Sequence, residues 1–262
     1  MTVLPGPVEA VCTTFLEAVP EGLVTGLYLR GGLGFGEWVA GKSDVDFTVT
    51  LDHRPTDDDV AALRVAHGVA AAEHRDTPRF EGVHLLAADL AAHPDACPDV
   101  PSMSARGFLH ADRFDLSPVS WHELAHHGIT VVGPPVESLE VWTDEAVLRE
   151  FTIRNLDTYW RRHAETGTAH PEQVSATFAC EWVVPGVARL HHLLVTGEQT
   201  AKSRAARWGL QHYPERFHRV LRESLAIREG AFESQYDDVF ERGRDVGAFA
   251  AYVVAEGVSP SS

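Results

Sequence analysis

The 262-residue chain sets 22 Lys and Arg against 38 Asp and Glu, a formal net charge of −16 with histidines neutral. An apolar share of 44% beside 23% charged residues is ordinary for a globular chain and excludes wholesale disorder. The acidic balance argues against a duplex nucleic-acid binder, which needs cations to replace the counterions on phosphates, and it suits a cationic small molecule.

Pro5 and Pro7 open a helical stripe carrying Val8, Val11, Phe15 and Leu16. Residues 23–30 read as a strand, and 31–43 as a glycine-rich connection. Residues 44–51 alternate, with Val45, Phe47, Val49 and Leu51 on one face and Asp44, Asp46, Thr48 and Thr50 on the other. Thr56 caps a helix whose first turn is Asp57, Asp58 and Asp59. A short strand at 83–86 precedes a looser stretch with Pro94, Pro98 and Pro101. Residues 117–127 read as a helix closed by Gly128, and 129–132 as another strand. Beyond Gly133-Pro134-Pro135 only helical patterns remain. Thr143 caps one running through Leu148, Phe151, Leu156 and Trp160, and a second spans 171–195, with Pro185 inside it and Gly197 at its end. Three more cover 200–210, 214–229 and 234–256. The pattern predicts an α+β chain: a domain over 1–140 with a mixed β-sheet and flanking helices, and an all-α helical bundle over 141–262.

Cys12, Cys97 and Cys180 are odd in number and widely spaced, which suits neither a disulfide framework nor a zinc ribbon. No apolar run approaches the ~18 residues of a membrane span, so no membrane partner is expected. No Lys or Arg precedes Arg30, and the expected location is the cytoplasm, with the chain a monomer.

Asp44 and Asp46 carry the most chemistry. At i and i+2 on a strand two carboxylates leave the same face about 7 Å apart at the backbone, and each raises the other's pKa. A divalent cation relieves that repulsion, and hard oxygen ligands select Mg²⁺, which shares substrate phosphates. The plainer reading of Asp-Val-Asp is the polar face of an edge strand. A second metal-like pattern is His122-Glu123-Leu124-Ala125-His126, which on a helix puts two histidines on one side with a glutamate between them, as in zinc hydrolases. No third ligand stands at a recognised distance after it.

The order strand, Gly31-Gly32, short helix, Asp44-Val45-Asp46 strand resembles the nucleotidyltransferase superfamily. Within it the chain resembles the aminoglycoside adenylyltransferases of the streptomycin/spectinomycin-modifying type, an antibiotic-resistance family. The resemblance extends to Arg189, Thr196-Gly197, Ala201-Lys202-Ser203 and Ala206-Arg207-Trp208 in the second half. It implies a Mg²⁺-dependent transfer of AMP from ATP to a hydroxyl of an aminoglycoside or a related amino-sugar or polyol. It also implies that Asp44 and Asp46 hold metal, that Gly31 and Gly32 cradle phosphate beside Ser43, and that Lys202 reaches the triphosphate; Arg30 or Lys42 is the cation that would add to the phosphate cradle. The family's glutamate, both catalytic base and third metal ligand, corresponds to Glu81 in Arg79-Phe80-Glu81-Gly82-Val83-His84; His84 is its rival as the base. For the acceptor the resemblance points to Glu181 with Trp182 and Phe178, to Asp157 beside Tyr159, and to Phe108 where streptomycin-modifying members have a tryptophan. The family's Gly-Ser turn is Gly31-Gly32 here, and the spacing to the first aspartate is one residue longer. The lost hydroxyl supports a second reading, a catalytically impaired nucleotide-binding protein of the same fold; a zinc hydrolase is the third.

Overall fold

The computed structural model describes residues 3–75, 79–230 and 233–259. The chain divides into two compact units, Met1–Asp144 and Glu145–Ser262.

In the first unit a six-stranded sheet is assembled from β1 (Val24–Leu29), β2 (Val45–Leu51), β3 (Phe80–Leu86), β4 (Val100–Ser104), β5 (Gly107–Asp112) and β6 (Ile129–Val132), in the order β5-β4-β3-β2-β1-β6. Among the described residues only β2 and β3 pair in parallel. They are joined by the crossover helix α2 (Asp57–Glu73), as parallel neighbours require. Thr56 and Asp59 close a reciprocal capping box at its start. Helix α1 (Gly6–Ala18) and α2 share a core with one face of the sheet, in which Phe15, Leu63 and Ala66 meet Leu27, Val45, Phe47 and Phe80. The opposite face gives Tyr28, Val83 and Leu85 to a core with Leu90 and with Trp121 and Leu124 of α3 (Pro118–His127).

Several sequence expectations are corrected here. The 31–43 connection holds hydrogen-bonded turns, among them Glu37 N–H to Gly32 O at 2.8 Å, rather than a short helix. Asp44 precedes β2 instead of opening it. The edge-strand reading fails: β2 is central, so Thr48 and Thr50 are buried along with the apolar face, and Thr25 satisfies the Thr50 hydroxyl at 3.0 Å. Strand β3 starts three residues before the expected position, and the β4–β5 hairpin was concealed by Pro98 and Pro101, residues that argue against a strand.

The second unit is helical: α4 (Glu145–Asn155), a π-helical turn (Leu156–Trp160), α5 (Arg161–Ala169), α6 (Thr177–Thr196), α7 (Lys202–His212), α8 (His218–Glu229) and α9 (Val239–Val258). Helix α6 continues through Pro185 and ends at Gly197 in the left-handed conformation. Its core joins Val183, Val184 and Val187 to Phe249 and Val253. Helix α5 was not anticipated, because its Thr and Gly residues carry little apolar period. Among the described residues no helix is long and apolar enough to cross a membrane.

Candidate active site

The site is set up by strand register. Asp46 on β2 and Glu81 on β3 are paired across the parallel ladder, so both side chains leave the same face of the sheet at the N-terminal ends of adjacent strands. Asp44, two residues before Asp46, comes to the same place through Arg79, whose guanidinium contacts Asp44 Oδ2 at 3.2 Å and Glu81 Oε1 at 2.7 Å. The Glu81 side chain is only 12% exposed. Burial pushes its pKa up to about 7; the Arg79 charge opposes that shift, and Asp44 and Asp46 add to it.

Gly31 has φ +59°, and a Cβ there would fall inside the carboxylate of Asp46. Only glycine lets the turn lie against that aspartate. The backbone ties the same two segments together, Arg30 N–H donating to Asp46 O at 3.0 Å. Gly32 differs: its φ is not left-handed, and a Cβ would stand 3.5 Å from Glu37 O, an ordinary contact. Ser43 is buried, and its hydroxyl accepts from Val39 N–H at 3.0 Å, which folds the connection back toward Gly32.

The donor set fits a hard cation. Two carboxylates completed by substrate phosphate are a usual Mg²⁺ environment. Among the described residues, however, no three His, Cys, Asp or Glu side chains converge tightly enough to hold a metal unaided. The expected ligand trio of Asp44, Asp46 and Glu81 is instead arranged around Arg79, because like charges repel and a guanidinium is the cation at hand. Sequence reasoning missed Arg79 entirely, although its position two residues before Glu81 was a usable signal.

Other expected residues lie elsewhere. Arg30 is 3% exposed and ion-paired with Asp115 and with Glu123, the latter at 3.6 Å, so its charge is spent inside the unit rather than on phosphate. His84 is fully buried. One ring nitrogen meets Pro101 O at 3.0 Å and the other meets His67 Nε2 at 3.1 Å, with Phe15, Phe47 and Phe108 around the pair. It lies on the α1/α2 side of the sheet, opposite Glu81, and cannot serve as the base. Phe108 packs there too, against His67 and His84, with Arg64 over its ring at 5.4 Å, so it is removed from the acidic face.

The zinc pattern is also corrected. His122 and Glu123 are both buried, His122 Nε2 accepts from Asp144 N–H at 3.1 Å, and Glu123 answers Arg30. The lone pair and the charge a metal would use are already committed to the fold.

In the helical unit Lys202 opens α7. Trp182 on α6 stands in a cluster with Trp160 (ring centroids 4.9 Å), His163 (5.0 Å) and Tyr159 (6.2 Å), brought together by the π-helical turn. Phe178, one turn earlier, is 72% exposed. Glu181 pairs with Arg228 at 3.2 Å, and Asp157 pairs with Arg161 one turn on. Both carboxylates therefore carry a resident partner that the sequence did not disclose.

Residues 170–256 match the family model described as the aminoglycoside adenylyltransferase C-terminal domain. The match lies within the helical unit, which is similar to that domain. A similar solved structure is spectinomycin adenyltransferase AAD(9) from Enterococcus faecialis, with ATP and spectinomycin: TM-score 0.65, 12% identity, 94% of this chain and 98% of that one covered. At that identity the likeness speaks for the fold, and it spans both units. No curated protein sequence matches this one.

Proposed function

We propose that this chain is an adenylyltransferase that transfers AMP from ATP to a hydroxyl of an aminoglycoside or related amino-sugar, with Asp44 and Asp46 holding Mg²⁺. The observation that carries the reading is the juxtaposition of Asp46, Glu81 and Gly31: two carboxylates side by side on parallel strands, one with its pKa raised to about 7, against a glycine turn. When bound, Mg²⁺ supplies Lewis-acid stabilisation of the charge on the phosphates. Gly31 and Gly32 offer backbone N–H groups to phosphate oxygens, which no side chain there obstructs. Glu81 takes the proton of the acceptor hydroxyl onto its carboxylate as that oxygen attacks the α-phosphorus of ATP, the bond to the β-phosphate breaks and pyrophosphate leaves. Its raised pKa makes it a better base than a solvated glutamate. Lys202 adds positive charge for the triphosphate, and Ser43 shapes the turn. On the acceptor side, Trp182 with Phe178 supplies flat apolar surface, while Glu181 and Asp157 attract ammonium groups by exchanging their arginine partners.

The test is a panel of aminoglycosides incubated with ATP or GTP and Mg²⁺, with products weighed by mass spectrometry. A mass gain of one adenylyl group is expected, lost in Asp46→Asn and on chelation. Nucleotide binding with no product from any acceptor would favour the impaired, non-catalytic reading.

A further inference from the structure

The acidic cluster has a resident cation of its own. Arg79 sits at the entry of β3, with its carbonyl accepting from Val45 N–H at 2.8 Å, so its backbone is anchored to β2 beside Asp44 and Asp46. Its side chain is 59% exposed, yet it spans from Asp44 to the nearly buried Glu81. Resting on the proposed metal site, we propose that Arg79 is a displaceable plug: it neutralises the cluster in the nucleotide-free protein and withdraws when the divalent cation arrives with nucleotide.

Three carboxylates close together need a counter-charge, and a guanidinium fork can serve two of them at once. A divalent cation arriving alone must expel Arg79 from both partners and leave it facing the incoming positive charge. A cation arriving with a triphosphate brings an anion on which the released guanidinium can settle. The residue therefore couples metal binding to nucleotide binding. It is a positioning residue, acting through the carboxylates rather than on the reacting atoms. Its exposure lets the long side chain swing without unpacking the core.

The coupling is read without turnover. Mn²⁺ as the probe, followed by electron paramagnetic resonance, is titrated into nucleotide-free wild type and Arg79→Ala. Removing two partly exposed ion pairs should tighten Mn²⁺ about tenfold in the variant. With a non-hydrolysable ATP analogue present, that advantage should vanish or reverse. Arg79→Gln, which keeps the stem and loses the charge, should behave as Arg79→Ala, separating charge from packing. Equal or weaker Mn²⁺ binding by both variants overturns the plug. Asp46→Asn in the Arg79→Ala background tells the two ideas apart: if it leaves Mn²⁺ binding intact, the proposed metal site fails, whatever Arg79 does.

Discussion

Two segments of the same unit carry metal-like patterns, and they end in opposite states. In the His122–His126 helix both lead residues are buried, and their polar atoms are consumed by Asp144 N–H and by Arg30. Asp44 and Glu81 share one half-exposed arginine, and the pKa of Glu81 is raised rather than quenched. A ligand pattern in sequence becomes a site when its donors are held near one another but not finally satisfied. A fully answered polar network rigidifies the fold and has nothing left to offer.

The contrast can be broken most sharply at Glu81. Glu81→Gln keeps shape and removes the proposed base, so turnover should fall about 10²- to 10⁴-fold with little change in ATP affinity, measured by steady-state kinetics and calorimetry. A loss below tenfold would put Glu81 on the same structural footing as Glu123.

The His67–His84 pair extends the comparison to acid. Burial lowers the His84 pKa from 6.5 to about 4 and holds His67 well below its ordinary value, so both are neutral in the fold. The unfolded chain binds protons that the folded one refuses, so this contribution is intact above about pH 6.5 and is lost as pH falls toward 4. For His84 that corresponds to about 3 kcal/mol in urea unfolding. His84→Leu should flatten the slope, while turnover at neutral pH persists if Glu81, not His84, is the base.

A smaller effect is expected at His122. His122→Ala removes the acceptor for Asp144 N–H and should cost about 1 kcal/mol of stability, without reducing turnover. Elemental analysis of the wild-type protein should find no stoichiometric zinc. The smallest change sharpens the glycine turn. A side chain at Gly32 meets only ordinary contacts, so Gly32→Ser should fold normally and tighten ATP about two- to tenfold through one added hydrogen bond. No gain in calorimetry would mean that the position does not face phosphate.

Much of the fold was legible because local rules suffice for it. The Thr56 cap with its acidic first turn, the alternation from Val45 onward, and Gly197 after a long apolar helix each state their element within a few residues. The β4–β5 hairpin and α5 stayed hidden because Pro101 and a Thr- and Gly-rich run contradict their own element; packing overrode propensity there. The candidate site was legible in its acids and opaque in its cations. Arg30 looked free for phosphate and is buried, while Arg79 drew no notice and sits at the centre.

The sequence by itself determined the α+β division and the aspartate pair at its strand, because these depend on spacing along one chain and on backbone chemistry; Glu81 entered only through the family resemblance. Only the tertiary structure decided which charges are already answered: Arg30 by Asp115 and Glu123, Glu181 by Arg228, and the acidic cluster by Arg79. Apart from Arg79 with Glu81, two residues on, those pairings join residues 35 to 93 positions apart. Charge neutralisation depends on distance in space and on burial, neither of which is written in the order of residues.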